Sequence, residues 1–168
     1  SAVLTYAGQT VDLEKPFERL TIAQAIARHA PQINAADLQD KTALTALLKQ
    51  HGVDATKPPL SHAGLGALQL ALFEEVAEHK LWQPTFIIDY PVEMSPLTKV
   101  HRDDPNYTER FELFINGTEV ANAYSELNDP DDQRQRFEDQ LALGERGDDE
   151  AMFIDQDFLR ALEYGMPP

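Results

Sequence analysis

Three glutamates stand seven residues apart in the stretch ELFINGTEVANAYSELNDP: Glu112, Glu119 and Glu126. Asn122 and Tyr124 lie between the second and the third. Two carboxylates close together on a sheet can hold Mg²⁺, which takes oxygen ligands and keeps substrate phosphates in its shell. A further carboxylate beside an amide and a phenol is suited to gripping an ammonium group. The plainer reading of the same pattern is a solvated sheet face. A carboxylate on a half-buried face costs several kcal/mol unless something pairs with it, so each acid either points to water or faces a ligand.

Seven residues is close to two helical turns, which would line the acids along one helix face. The residue types favour a hairpin instead. Asn116-Gly117 is a strong turn signal, because both central positions of a type I′ turn need φ > 0. Phe111, Leu113 and Ile115 alternate with Glu112 and Phe114 before it. Val120, Asn122, Tyr124 and Glu126 alternate with small residues after it. The reading is a β-hairpin over 110–115 and 118–127.

The chain has 168 residues, enough for one domain with a real core, and is 42% hydrophobic and 26% charged, as globular chains are. No apolar run reaches eighteen residues, so no membrane span is expected. No basic-then-apolar leader is visible. The absence of cysteine excludes disulfides and thiolate sites and fits a cytoplasmic protein. The net charge of −15 is uneven: residues 103–168 hold five Lys+Arg against eighteen Asp+Glu. Such a surface favours solubility and repels phosphate backbones, so little direct contact with nucleic acid is expected. His29, His51, His62, His79 and His101 show no metal spacing, and no P-loop, G-x-G-x-x-G or nucleophile elbow occurs.

The elements around the hairpin read as α+β with antiparallel pairing. Val3–Tyr6 and Thr10–Leu13 form a small hairpin in a lead-in over 1–15. A helical region over 16–82 follows. KPFERLTIAQAIARHAP reads as a helix start, with Thr21 as N-cap. NAADLQD is a short turn capped by Asn34. KTALTALLKQHGV is a helix stopped by Gly52. GLGALQLALFEEVAEHKL reads as the longest helix, buried through Leu65, Leu68, Leu72, Phe73 and Val76. From 83 to 168 the texture changes. PTFIIDYP is a short buried strand, then come a loop and the hairpin. A helix near Asp129 or Asp131 follows, then a solvated acidic loop at 147–152 and a last helix stopped by Gly165.

PTFIIDYPVEMSPL, ERFELFINGTEVANAYSELNDPDDQRQRFEDQ, GDDEAM and DFLRALEYGMPP closely resemble the C-terminal catalytic region of class II lysyl-tRNA synthetases. The resemblance is nearly continuous over 84–168. Residues 16–82 look like the helical segment that such enzymes insert between their second and third class motifs. The resemblance implies part of the class II antiparallel sheet with flanking helices. It implies that Glu112 and Glu119 hold Mg²⁺ and the ATP phosphates, and that Asn122, Tyr124 and Glu126 line the lysine pocket. Glu126 would pair with the substrate ε-ammonium. The implied partners are lysine, ATP and tRNA(Lys), in a homodimeric parent.

A full enzyme of this family carries an anticodon-binding barrel and two motifs before the position of Ser1, and a Gly-rich third motif with an ATP-binding arginine after Pro168. The expectation is therefore a fragment, inactive alone, with Ser1 a cloning remnant. Three rivals stand beside it. A synthetase paralogue lysylates an elongation factor, but its segment around NAYSELND usually reads differently. Aspartyl and asparaginyl synthetases share the hairpin acids, yet Glu126 is wrong for their substrates. A non-catalytic acidic interaction domain is the rival of another class.

One site requires both sets of hairpin residues on one face. In a regular two-residue hairpin Phe114 opposes Glu119 and Glu112 opposes Ala121. Glu112 and Glu119 then share a face, and Asn122, Tyr124 and Glu126 take the other. A bulge or strong twist is therefore expected between Glu119 and Asn122.

Overall fold

The computed structural model describes residues 2–144 and 154–167. The acidic loop expected at 147–152 lies outside the described residues. The chain begins with an antiparallel hairpin of β1 (Val3–Tyr6) and β2 (Gln9–Asp12). Gln83 staples it in place: its carbonyl accepts from the Asp12 N–H at 3.1 Å and its amide donates to the Thr10 carbonyl at 2.7 Å.

Where the sequence predicts only a helix start, Glu18–Thr21 first forms a strand, β3. The helix α1 (Ile22–His29) begins after it, capped by Thr21. The Thr21 hydroxyl accepts from the Gln24 N–H, and the Gln24 side chain accepts from the Thr21 N–H, which makes a full capping box. Asn34 caps a 3₁₀ turn over Ala35–Gln39, and Asp40 caps α2 (Lys41–Gln50). Gly52 follows α2 at φ 91.

Helix α3 (Leu65–Val76) fits its apolar stripe but is shorter than the segment GLGALQLALFEEVAEHKL read as helix. A 3₁₀ turn, Glu78–Lys80, replaces its last part. The hairpin accounts for the break. The Leu81 and Trp82 carbonyls accept from the Gly117 and Asn116 N–H groups, each at 2.9 Å. Asn116 and Gly117 lie at φ 59 and 64, the left-handed pair of a type I′ turn. A Cβ at position 117 would stand 3.0 Å from the His79 carbonyl oxygen, so both conformation and space select glycine there.

Strands β4 (Thr85–Ile88), β5 (Arg110–Ile115) and β6 (Thr118–Tyr124) complete a four-stranded sheet in the order β3-β4-β5-β6. Pairs β4–β5 and β5–β6 are antiparallel, whereas β3 and β4 are parallel. The purely antiparallel sheet read from the sequence is thus a mixed one. Its parallel pair is joined through the whole helical segment, a crossover rather than a tight turn. Two more helices follow, α4 (Pro130–Gly144), capped by Asp129, and α5 (Gln156–Tyr164). Of the five α-helices among the described residues, α4 is the longest. The architecture is α+β.

Helices α1 and α3 cover one face of the sheet, and α2 packs on α3. Ile26, Leu44, Leu48, Leu68 and Leu72 are fully buried there with Ile87 and Phe114 from the strands. Each such side chain stabilises the fold by about 1.5–3 kcal/mol. Phe73 of α3 meets Phe114 of β5 edge-on at 6.1 Å. One core therefore spans position 82/83, where the helical region gives way to the strands.

Candidate functional site

Phe114 pairs with Glu119 as in a regular hairpin, but Leu113 pairs with Ala121 and Glu112 with Asn122. Val120 is the extra residue, so a bulge sits where the two sets of candidates require one. Residues directly opposite each other share a face. Arg110, Glu112 and Phe114 therefore face the same side as Glu119, Asn122 and Tyr124. Glu112 also pairs with Ile87, so this is the face the helices cover. The candidate site begins where that core ends. Phe114 is buried, Glu112 is 9% exposed, and Glu119, Asn122 and Tyr124 open to solvent.

Arg110 organises the buried end of the site. Its Nη2 donates to Glu112 Oε1 at 2.5 Å and its Nε to Asn122 Oδ1 at 3.3 Å. Its Nη1 donates to Ser95 Oγ at 2.9 Å and to the Met94 carbonyl at 3.2 Å. The guanidinium lies over the Tyr90 ring, 4.4 Å from its centre. The Tyr90 hydroxyl donates to the other Glu112 oxygen, Oε2, at 2.7 Å. Burial first, and the Glu112 carboxylate second, drive the Tyr90 phenol pKa upward, so it remains a donor. Glu112 is thus held at both oxygens. The sequence reading passes over Arg110, although opposite charges two residues apart on a strand share a face and can meet.

The carboxylates here crowd one another. Burial pushes Glu112 above the usual carboxylate range, with Tyr90 and Arg110 pulling it down and Glu119 adding to the rise. Glu78 is raised by burial, then by Glu112 and Glu119. Glu74 is raised by burial, then by Glu78 and Glu112. Both belong to α3 and the turn after it, and α3 is latched in place. The Glu93 carboxylate caps it, accepting from the Gly64 N–H at 2.9 Å and the Ala67 N–H at 2.7 Å. A Cβ at position 66 would lie 2.5 Å from Pro91 Cβ, so that approach requires glycine.

This crowding has a pH signature. A carboxyl whose folded pKa lies above its unfolded value binds protons more tightly when folded. Its stabilising effect is complete below the unfolded value, 4.5 for glutamate, and is lost as pH rises through the folded one. Glu78→Gln is therefore expected to raise the melting temperature at pH 7 by about 1–2 °C, with the gain vanishing near pH 4. Thermal melts of both proteins across that range check it. A gain that did not change with pH would refute the shared field.

Glu126 lies past the end of β6, half-buried and paired across from Thr98. Among the described residues the carboxylates of Glu119 and Glu126 enter no ion pair, which leaves both available to a cation. A cleft of about 670 Å³ opens elsewhere, between α3, α4 and the loops at 91–93 and 104–107. None of the five candidates lines it. Glu119, Asn122 and Tyr124 stand on an open sheet face away from that cleft.

Among the described residues no three His, Asp or Glu side chains form a metal-holding group. The donor set of Glu112 and Glu119 nevertheless fits Mg²⁺, which usually binds through one or two carboxylates plus substrate phosphates. Glu112 keeps unshared lone pairs beyond its two hydrogen bonds.

The family model described as tRNA synthetases class II (D, K and N) matches residues 1–168. The chain is 58% identical over all 168 residues to a lysine–tRNA ligase of Paraburkholderia phymatum and covers 33% of that protein. It is 58% identical to the lysine–tRNA ligase of Burkholderia multivorans, again over 33% of its length. It is 60% identical to that of Methylobacillus flagellatus, over 32%. The chain thus spans about a third of the length of the curated relatives it matches.

Proposed function

The chain belongs to the class II tRNA synthetases (D, K and N), and from that premise we propose that it is the lysine-selecting portion of a lysine–tRNA ligase. The whole protein would join lysine to ATP as lysyl-adenylate, releasing pyrophosphate, and then pass the lysyl group to tRNA(Lys). Lysine as the substrate is read from charge: Glu126 would bring a carboxylate to the Asn122 amide and the Tyr124 phenol, which suits an ε-ammonium and opposes the carboxylate of aspartate. Asn122 and Tyr124 would line the pocket. Glu112 and Glu119 would hold Mg²⁺, which supplies charge neutralisation on the triphosphate. Arg110 and Tyr90 keep the Glu112 carboxylate fixed and ready.

The observation that carries this reading is the bulge at Val120. It sets Asn122 and Tyr124 on the same face as Glu112 and Glu119, so an amino acid and a metal-bound triphosphate could meet there. The acidic last third of the chain would leave tRNA to be gripped by other parts of the protein. The whole protein would be a cytoplasmic homodimer. No helix among the described residues is long and apolar enough to cross a membrane.

The test is ATP–pyrophosphate exchange by the full-length protein with lysine, aspartate or asparagine. Exchange is expected with lysine alone. Exchange that depended on aspartate or asparagine would overturn the assignment. The 168-residue chain by itself is expected to remain at background. It brings acids to ATP with few cations to hold the phosphates. Lysine-dependent exchange from the pure chain would sink that part.

A further inference from the structure

The loop at Ser95–Thr98 touches both ends of the candidate site. The Ser95 hydroxyl accepts from Arg110, which in turn holds Glu112 and Asn122. Thr98 lies across from Glu126. On either side of that pair, the Lys99 N–H donates to the Ser125 carbonyl at 2.8 Å, and the Leu127 N–H to the Leu97 carbonyl at 2.9 Å. The Ser125 N–H also donates to the Glu109 carbonyl at 3.0 Å, so Glu126 is held between this loop and the residues next to β5. Ser95 and Thr98 are themselves 3% and 2% exposed.

The loop is held from behind by α4. Arg136 Nη1 donates to the Thr98 carbonyl at 2.8 Å and to the Ser95 carbonyl at 3.2 Å. One guanidinium thus spans both ends of the loop. Its Nε donates to Asp132 Oδ1 at 3.1 Å, one helical turn back, which fixes the side chain before it reaches out. Gln133 adds a bond from Nε2 to the Pro96 carbonyl at 3.0 Å. The Arg136 side chain is 8% exposed, so its charge is buried for these contacts. Plain packing would not require a charged group there, because burying one is costly unless it is well paired.

We propose that Arg136 is a positioning residue for amino-acid selection. By tying the Ser95 and Thr98 carbonyls together, it sets where Glu126 and Arg110 stand. It touches none of the five candidate residues and acts through the loop. The proposal rests on the reading of Glu126 as the acid that selects lysine. A guanidinium suits this task because Nε and Nη2 stay on Asp132 while Nη1 reaches both carbonyls, a span that the single nitrogen of lysine cannot cover.

The experiment uses the full-length protein and steady-state exchange, with lysine and ATP varied separately. Arg136→Lys keeps the charge and loses the fork. It is expected to raise the lysine KM about 10-fold, in line with the cost of displacing a reacting partner by a fraction of an ångström. The ATP KM should rise by less, because Glu112 is reached only through Ser95 and Arg110. Asp132→Asn, on a side chain 43% exposed, releases Arg136 without emptying its place and should move the lysine KM in the same direction by less. It serves as the second probe if Arg136→Lys folds poorly. Arg134→Lys on the same helix is the control and should leave both KM values alone. A purely structural role would lower the melting temperature and the active fraction while leaving the lysine KM unchanged. That result would overturn the proposal. Glu126→Gln is measured alongside. If it raises the lysine KM and the Arg136 and Asp132 variants do not, the positioning role fails while the lysine reading stands. If Glu126→Gln has no effect either, the reading fails and the proposal falls with it.

Discussion

Glu126→Gln in the full-length protein is expected to raise the lysine KM by about 30-fold or more while leaving the ATP KM near its original value. The substitution keeps shape and removes one charge. The substrate ammonium would then enter the pocket without a counter-charge. Removing one partner of a desolvated charge pair costs about 2–5 kcal/mol, and the lower end already corresponds to about 30-fold. The lower end is the appropriate one here, because Glu126 is half-buried among the described residues. Glu119→Gln supplies the contrast. It should weaken the use of ATP and raise the Mg²⁺ requirement while sparing lysine. Exchange with each substrate varied in turn separates the two. An unchanged lysine KM for Glu126→Gln would return this residue to the status of a solvated glutamate at a sheet edge.

Arg110→Met should be the most destabilising of the changes considered. The Arg110 and Glu112 side chains are 17% and 12% exposed. Methionine fills part of the volume and can still rest on the Tyr90 ring, but the Glu112 carboxylate keeps its desolvation and loses its cation. Breaking a buried pair from one side costs about 3–5 kcal/mol. Protonation of Glu112, whose pKa is already raised, would recover some of it. A drop of about 6–12 °C in melting temperature is expected. The double variant Arg110→Met/Glu112→Gln should lose less than Arg110→Met alone, because no unpaired charge is left buried. If the two losses simply add, the pair is not coupled and Arg110 is not the organiser of this site.

The parts of the fold visible in the sequence were those set by local chemistry. Asn116-Gly117 announces its turn because few other residues take φ > 0 twice in succession. Thr21 and Asn34 announce their caps because a side-chain oxygen next to free N–H groups acts within three residues. The bulge could be inferred by counting, since five candidate residues had to reach one face through strands that alternate. What escaped was set at a distance. Glu18–Thr21 is only four residues long and carries two charges, and it becomes a strand through pairing with Thr85–Ile88 much later in the chain. The end of α3 at Val76 is dictated by the tip of a hairpin that binds Leu81 and Trp82. Arg110 and Arg136 go unassigned from the sequence, because much of what holds them comes from the loop at 94–98. The roles of the five candidates are read from their chemistry and from resemblance.

The bulge at Val120 also bears on how the chain behaves in concentrated solution. Among the described residues strand β6 forms one edge of the sheet, and Thr118–Tyr124 contains no lysine or proline and, in Glu119, a single charge to repel a passing strand. Edges of this kind are templates for cross-β aggregation. An extra residue in the middle of the strand breaks the even ladder of N–H and C=O groups and adds local twist. A foreign strand could then dock on only part of the edge. The irregularity that brings Asn122 and Tyr124 to the face of Glu112 and Glu119 would thus also guard against fibril formation.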